Sequence, residues 1–287
     1  MHQEDHSREH DQRGRTFNGL TAREWTVLSR NVWNDVSSPR NRRHLQHGAV
    51  FPVKLADRLI RIYSKRNDLV LDPFVGIGST CISAMLAERF SIGVELSEEF
   101  HHAGRGWLDE IDPTKESEWH PTLIHGDARH ITSWIAPNSI QVTVTSPPYA
   151  NFISRSVRDR QRTHKKSKLA LENNSRVRVY SSDVRDLGNL EYDDFLKECS
   201  KVLTGLLTVT RSSGYAVWIV KDYRLPPEQP YVPFHVDLAR VAQEVGWKWH
   251  DLIVWDQNEQ RSLVLLGYPS RFYTNQNCSF IVVLRRP

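Results

Sequence analysis

Short apolar runs alternate along the chain with longer stretches in which apolar residues recur at helical spacing. A short apolar run bounded by turn residues predicts a buried strand, whereas apolar residues at i, i+3, i+4 and i+7 predict an amphipathic helix. The predicted strands are 68–72, 91–95, 122–124, 140–145, 215–220, 248–255 and 278–284, and the predicted helices are 52–64, 80–89, 97–108, 192–209 and 236–245. This alternation predicts an α/β protein with a parallel sheet covered on both faces.

Composition excludes several classes of protein. The 287 residues suffice for a substantial core, and contents of 39% apolar and 10% aromatic residues are typical of a folded chain. Cys81, Cys199 and Cys278 are too few and too scattered for a disulfide framework or a metal site. Since the chain shows no signal peptide and no apolar run of about 18 residues, we expect a soluble cytoplasmic protein without membrane contacts.

Charge is distributed unevenly along the sequence. The net charge is only +4, so any affinity for nucleic acid must come from local clusters. Residues 1–20 are polar and of mixed charge, which predicts a disordered tail, and residues 21–287 are expected to form a single domain. Within it, residues 151–180 carry nine basic and two acidic side chains. This pattern predicts an exposed insertion that contacts DNA and reads the target sequence, with a nonspecific phosphate clamp or a merely solvated loop as the alternatives.

A glycine-bearing loop follows the first predicted strand. Gly76 and Gly78 lie where an open α/β sheet binds its ligand, and glycine allows a ligand to approach the backbone closely; a tight turn is the alternative. Glu95 ends the next strand, where a carboxylate can accept hydrogen bonds from ribose hydroxyls. Cys81 replaces the small residue typical of dinucleotide sites, and Asp72 would repel a pyrophosphate. A nucleoside that carries an amino acid therefore fits better.

Two motifs resemble those of a known family. Asp72–Thr80 (DPFVGIGST) resembles the S-adenosylmethionine loop of amino-group DNA methyltransferases, and Thr145–Tyr149 (TSPPY) is similar to their catalytic motif in its cytosine-N4 form. His47–Pro52 (HGAVFP) is similar to the cofactor segment that precedes the loop, and the resemblance covers the chain from about Trp33 to Pro287. It implies a Rossmann-like class I methyltransferase fold with a mostly parallel seven-stranded sheet, and S-adenosyl-L-methionine as cofactor.

The resemblance also implies roles for individual residues. Asp72 and the two glycines would hold the methionine end of the cofactor, Glu95 its ribose and Asp127 its adenine amino group, although an Asx turn would also explain Asp127. The implied cofactor-binding residues are Phe51, Pro52, Asp72, Phe74, Gly76, Gly78, Thr80, Glu95, Leu96, Asp127 and Ala128, and the implied catalytic residues are Ser146, Pro147, Pro148 and Tyr149.

Methylation of an amine requires no enzyme nucleophile, because the exocyclic nitrogen of the base attacks the methyl group directly. Ser146 and the carbonyl of Pro147 would accept the two N–H hydrogens, and Tyr149 would stack on a base extruded from the duplex. A serine directly before the two prolines, here Ser146, is typical of cytosine-N4 enzymes. It favours a site-specific cytosine-N4 enzyme over the alternative, an adenine-N6 enzyme. A cytosine-C5 enzyme is excluded, because no cysteine follows a proline.

Other functions and partners remain open. Methylation of RNA is one alternative, and a non-catalytic nucleic-acid-binding subunit is another, although the intact catalytic motif argues against the latter. The expected partner is double-stranded DNA with one base flipped, and the resemblance also allows a homodimer, a cognate restriction endonuclease and, in a prokaryote, association with the nucleoid. The predicted DNA-binding residues are Arg155, Arg158, Arg160, Arg162, Lys165, Lys166 and Lys168.

Overall fold

The computed structural model describes residues 18–37, 51–150, 183–224, 231–260, 274 and 276–287. An eight-stranded sheet and a separate two-stranded antiparallel sheet run through this part of the chain. The strands are β1 (Val32–Trp33), β2 (Leu69–Asp72), β3 (Phe90–Glu95), β4 (Thr122–His125), β5 (Ile140–Thr145), β6 (Thr210–Val220), β7 (Tyr223–Arg224), β8 (Tyr231–Val232), β9 (Lys248–Asp256) and β10 (Cys278–Arg285).

Six α-helices accompany these strands in the described ranges. They are α1 (Ala22–Leu28), α2 (Val53–Tyr63), α3 (Ser79–Leu86), α4 (Glu98–Ile111), α5 (Tyr192–Val209) and α6 (Phe234–Val245), and short 3-10 helices lie at Ala128–Ser133, Leu187–Asn189 and Asn258–Gln260. Local capping explains where two of them begin. The Ser97 side chain accepts a hydrogen bond from the backbone of Phe100 at the start of α4, and Thr21 and Glu24 form a reciprocal capping box on α1.

The strand order is β1-β9-β10-β6-β5-β2-β3-β4. Neighbours are parallel except that β10 is antiparallel to both β6 and β9. This confirms the predicted Rossmann-like α/β fold with a mostly parallel sheet. The sheet has eight strands where the sequence predicted seven, because β1 pairs through only Val32 and Trp33, and two residues are too short to show an apolar period.

Helices cover both faces of the sheet. Along β2, Val70 faces the core that contains the buried residues of α2, whereas Leu71 faces the core that contains those of α5 and α6. Val217 and Trp218 alternate in the same way along β6. Successive side chains of a strand point to opposite faces, so two neighbouring apolar residues supply two cores. This explains why the central strands read as continuous apolar runs.

Several predictions concern residues that the structure does not describe. These are the tail up to residue 17, residues 38–50, and the basic insertion 151–180 with its predicted DNA-binding residues. The division into tail, domain and insertion therefore stays a prediction. None of the helices in the described ranges combines the length and the apolarity needed to cross a membrane. No cluster of three or more potential metal-ligating side chains was found among the described residues.

Arg58, which lies in α2, contacts both α1 and β1 in the segment before it. Its side chain is 6% exposed, and its guanidinium donates hydrogen bonds to the carbonyls of Val27 and Leu28 and to Asp35. The guanidinium carbon also lies 4.1 Å from the centroid of the Trp33 ring. A cation above an aromatic face is attracted to it, more strongly where water is excluded. One buried side chain therefore holds both α1 and β1.

We expect Arg58→Ala to lower the free energy of unfolding by about 3 kcal/mol, because it removes a buried guanidinium that donates three hydrogen bonds and contacts the Trp33 ring. Arg61→Ala is the matched control in the same helix. Arg61 pairs with Asp57 on the surface, and removal of such a pair costs less than about 1 kcal/mol. Urea unfolding followed by circular dichroism measures both values. Equal losses in the two variants would contradict the role of Arg58.

Candidate functional site

An open cavity lies at the carboxyl ends of β2, β3 and β5, with about 830 Å³ of empty space that includes open solvent at its mouth. Because adjacent parallel strands end at the same edge of a sheet, segments far apart in the sequence meet there. Ten predicted site residues line the cavity: Phe51, Phe74, Gly76, Glu95, Leu96, Asp127, Ala128, Ser146, Pro147 and Pro148. The wall also contains Pro73, Val75, Ser79, Ser97, Phe100, Gly126, Asp186 and Leu187, which the sequence did not single out.

Five predicted site residues lie outside the cavity wall: Pro52, Asp72, Gly78, Thr80 and Tyr149. Pro52 precedes α2 and accepts two backbone hydrogen bonds at its start. Gly78 caps α3 with a φ of 96°, a left-handed conformation that favours glycine. The structure therefore assigns these two residues a local role in the backbone, and their predicted contact with a cofactor stays a prediction.

Asp72 is the buried centre of the site. It is 1% exposed, and its carboxylate accepts hydrogen bonds from the hydroxyls of Thr80 and Thr145, both at 2.6 Å, and from the backbone N–H of Phe74 at 3.0 Å. Burial raises the pKa of Asp72 to about 6, although these three hydrogen bonds oppose the shift. The carboxylate faces the two threonines, and its predicted contact with the cationic amino group of a ligand stays a prediction.

Glu95 connects β3 to the glycine loop. Its carboxylate accepts hydrogen bonds from the backbone N–H groups of Gly76 at 2.9 Å and Ser97 at 2.8 Å. Burial raises the pKa of Glu95 to about 7, and the nearby charges of Asp186 and Asp72 add to the shift. Each carboxylate oxygen has a second lone pair, so the side chain can also accept hydrogen bonds from ligand hydroxyls.

Asp127 follows β4 and caps a 3-10 helix, as an Asx turn would. It also lines the cavity, so the alternative and the predicted role are compatible. Burial acts to raise the pKa of Asp127, but hydrogen bonds from the side chain and backbone of Arg129 outweigh it and lower the pKa. A carboxylate that stays ionised remains an acceptor for a ligand amine.

The predicted catalytic motif begins where β5 ends. Ser146, Pro147 and Pro148 line the cavity, but the Tyr149 ring lies at right angles to the Tyr223 ring, with the centroids 6.3 Å apart. The Tyr149 ring also packs edge-on against Phe234 at 6.1 Å. The predicted stacking of a base on Tyr149 stays a prediction, because the ring packs against these aromatic neighbours.

The cysteines do not form part of the site. None of the three lines the cavity, and burial raises the pKa of Cys81 to about 12. Burial also raises the pKa of Cys199 and Cys278. Since the thiolate is the reactive form, these side chains are poor nucleophiles at neutral pH. This agrees with chemistry that needs no covalent enzyme intermediate.

Sequence reasoning missed Asp186, Leu187 and Arg129, whose positions depend on packing between distant segments. Asp186 is 6% exposed and caps the short helix that begins at Leu187, and both line the cavity. The Asp-x-Gly spacing, Asp186 to Gly188, is a sequence signal for that cap. Nothing local indicates that this turn reaches the cavity.

Sequence reasoning also missed the hydrogen bonds of a second buried carboxylate, Asp222. Asp222 is 2% exposed, accepts a hydrogen bond from the Tyr231 hydroxyl at 2.6 Å, and lies 2.8 Å from Nδ1 of His235. The His235 ring stacks on Phe280 with centroids 4.0 Å apart. Asp222 follows the predicted strand 215–220, but its partners Tyr231 and His235 lie further along the chain. Residues 225–230, which separate Asp222 from them, are not described.

Comparison with known proteins supports the resemblance noted in the sequence. Residues 1–105 match the family model for N6 and N4 methyltransferases, described as DNA methylase. The type II methyltransferase M.MthZI of Methanothermobacter thermautotrophicus is 48% identical over 73 residues, which cover 24% of this chain and 21% of that protein. The type II methyltransferase M.BglI of Bacillus subtilis is 36% identical over 84 residues, which cover 29% and 23%.

Among solved structures, a SAM-dependent methyltransferase from Aquifex aeolicus has a TM-score of 0.47 and 9% identity, and the match covers 86% of this chain and 94% of that one. The chain spans about a fifth of the length of the curated relatives it matches. The resemblance to amino-group DNA methyltransferases is confirmed by the family and curated matches. They do not distinguish cytosine N4 from adenine N6.

We expect stability to fall as the pH rises from 5 to 8, because Asp72 and Glu95 titrate in the folded chain at about 6 and about 7, above their ordinary values of 3.8 and 4.5. A raised pKa stabilises the fold fully below the unfolded value, and this contribution is lost as the pH passes the folded value. The Asp72 contribution over this range is about 1 kcal/mol.

Urea unfolding at a series of pH values measures this loss, and Asp72→Asn provides the comparison. The variant should show a shallower decline than the wild type between pH 5 and 8, whatever its absolute stability. Identical slopes would show that the Asp72 carboxyl does not titrate in this range.

Proposed function

We propose that this protein is a site-specific DNA methyltransferase that transfers a methyl group from S-adenosylmethionine to the N4 amine of a cytosine flipped out of the duplex. The observation that supports this most strongly is that the glycine loop at Gly76, the strand-end Glu95 and the Ser146–Pro148 segment line one cavity. Because a methyl donor and its acceptor must bind next to each other, the two motifs of such an enzyme have to meet.

The cavity fits an amino-acid-bearing nucleoside. Glu95 and Asp127 offer acceptors for ribose hydroxyls and an adenine amine, and Phe51 and Phe74 supply apolar wall. The Ser79 hydroxyl lies in the same wall at the start of α3, is fully buried, and has no hydrogen-bond partner among the described residues. A buried hydroxyl without a partner is costly, and a polar group of the ligand would satisfy it.

In the proposed reaction, S-adenosylmethionine supplies the methyl group. A nitrogen–carbon bond would form on the base as the sulfur–carbon bond breaks, the sulfonium would become a neutral thioether, and the methylated amine would release one proton to water. The Ser146 hydroxyl and the Pro147 carbonyl accept the N–H hydrogens and hold the nitrogen with its lone pair towards the methyl group. Proline fixes the backbone on both sides of that carbonyl, which keeps the acceptor in place.

Serine at position 146 supports cytosine as the target. Adenine N6 is the second candidate, because the matching family model is named for both N6 and N4 methyltransferases. The domain boundaries, the homodimer, the restriction endonuclease partner and the location in the cytoplasm or at the nucleoid stay predictions.

We expect purified protein to convert cytosine in duplex DNA to N4-methylcytosine, identified by mass after digestion to nucleosides. Ser146→Ala should lower the single-turnover rate about ten- to hundredfold, since it removes an acceptor needed in the transition state. Ser139→Ala, before the other end of β5, is the control and should leave the rate unchanged. Product on adenine alone would contradict the choice of base, and a normal rate in Ser146→Ala would contradict the role of the motif.

The basic insertion is the proposed DNA contact. Neutralising Arg158, Arg160, Lys165 and Lys166 should weaken DNA binding and flatten its salt dependence by about 0.9 in slope for each phosphate that is no longer neutralised. A variant that neutralises four scattered exposed residues carries the same charge change and should keep the slope; these are Arg23, Arg105, Lys197 and Lys248. Fluorescence anisotropy of labelled DNA at a series of salt concentrations measures the affinity and its salt slope. Equal slopes in both variants would place the DNA contact elsewhere.

A further inference from the structure

Arg129 occupies a central position beside the cavity without lining it. It lies in the 3-10 helix after β4, and its side chain is 19% exposed. Its Nη2 donates to Oδ2 of Asp127 at 2.5 Å, and its Nε donates to Oδ1 at 2.9 Å. Its backbone N–H donates to the same Oδ1 at 3.0 Å. This fork of donors fixes the plane of the Asp127 carboxylate.

The hydrogen bonds leave Asp127 able to bind a ligand. Oδ1 accepts hydrogen bonds from the backbone N–H and from Nε of Arg129. Oδ2 accepts a short hydrogen bond from Nη2 and shares the Nε donor at the longer distance of 3.1 Å. An ionised carboxylate offers about four lone-pair positions, so Oδ2 retains room for a further donor. That donor has to approach in the plane that Arg129 sets.

The same guanidinium reaches two other segments. Nη1 donates to Glu198 of α5 at 2.7 Å, and Nη2 donates to the carbonyl of Arg185 at 3.0 Å. Lys201 holds the second oxygen of Glu198 at 2.6 Å. Arg185 directly precedes Asp186, which lines the cavity. Arg129 therefore connects the wall after β4, the wall at residue 186 and the helix behind them.

We propose that Arg129 is a positioning residue that makes the donor pocket selective for the 6-amino group of its adenosyl ligand. The inference rests on the proposed function, because it assumes that the cavity binds the methyl donor. Asp127 would accept a hydrogen from that amine, and Arg129 would hold the carboxylate ionised and correctly oriented. A ligand with a carbonyl oxygen in place of the amine would lose affinity, because that oxygen and the Asp127 carboxylate are both hydrogen-bond acceptors.

The test compares two ligands by calorimetry: S-adenosylhomocysteine and S-inosylhomocysteine, which carries an oxygen at the 6 position. The wild type should prefer the amine by at least about tenfold, as a hydrogen bond to a charged group allows. Arg129→Ala should reduce that preference to about threefold or less, since burial then favours a protonated Asp127 that can donate to the oxygen. Arg129→Lys should fall between the two, because lysine supplies charge without the fork.

Arg185→Ala is the matched control. It removes a nearby exposed cation that pairs with Asp183 but keeps the backbone carbonyl that Arg129 contacts, so the preference should remain. Circular dichroism checks that each variant folds. If Arg129→Ala does not fold, the ligand preference of Arg129→Lys is compared with that of the wild type instead. If the wild type binds neither ligand, the proposed function fails. If it binds and the Arg129 variants keep the preference, or lose affinity for both ligands equally, the positioning role is overturned.

Discussion

The site depends on one buried carboxylate. Asp72 ends β2, and its two oxygens accept hydrogen bonds from Thr80 in α3 and Thr145 at the end of β5. These partners lie 8 and 73 residues further along the chain, at the last residue of the predicted cofactor loop and at the first residue of the predicted catalytic motif. Hydrogen bonds to a charged group are strong where water is excluded, so this carboxylate fixes the two motifs relative to each other.

Burial of carboxylates has an electrostatic consequence at the cavity. Burial raises the pKa of both Glu95 and Asp72, because desolvation favours the neutral carboxyl over the charged carboxylate. Asp127 differs because Arg129 neutralises part of its charge and lowers its pKa. The three carboxylates therefore offer different environments: one structural, one accepting two backbone N–H groups and one clamped by a cation. That variety suits a ligand with several distinct polar groups.

Sequence patterns found the central elements because each is determined locally. Helix α5 has the predicted bounds, and β5 has them too, since the apolar pattern lies within the segments themselves. The cavity wall at Gly76 and Ser146 was also predicted, because parallel strands must end at a common edge. Strand β1 was missed because its two residues gain their strand character only by pairing with β9.

The sequence by itself determined the α/β class, the edge of the sheet where a ligand is predicted to bind and the motifs that meet there. Tertiary structure alone decided how the charged groups are used. Asp72 belongs to a predicted ligand motif, yet it is buried against Thr80 and Thr145, and Arg129 gained its role from contacts 56 and 69 residues away. The physical reason is that periodicity records which face of an element is apolar, whereas the partner of a polar group depends on which distant segment packs against it.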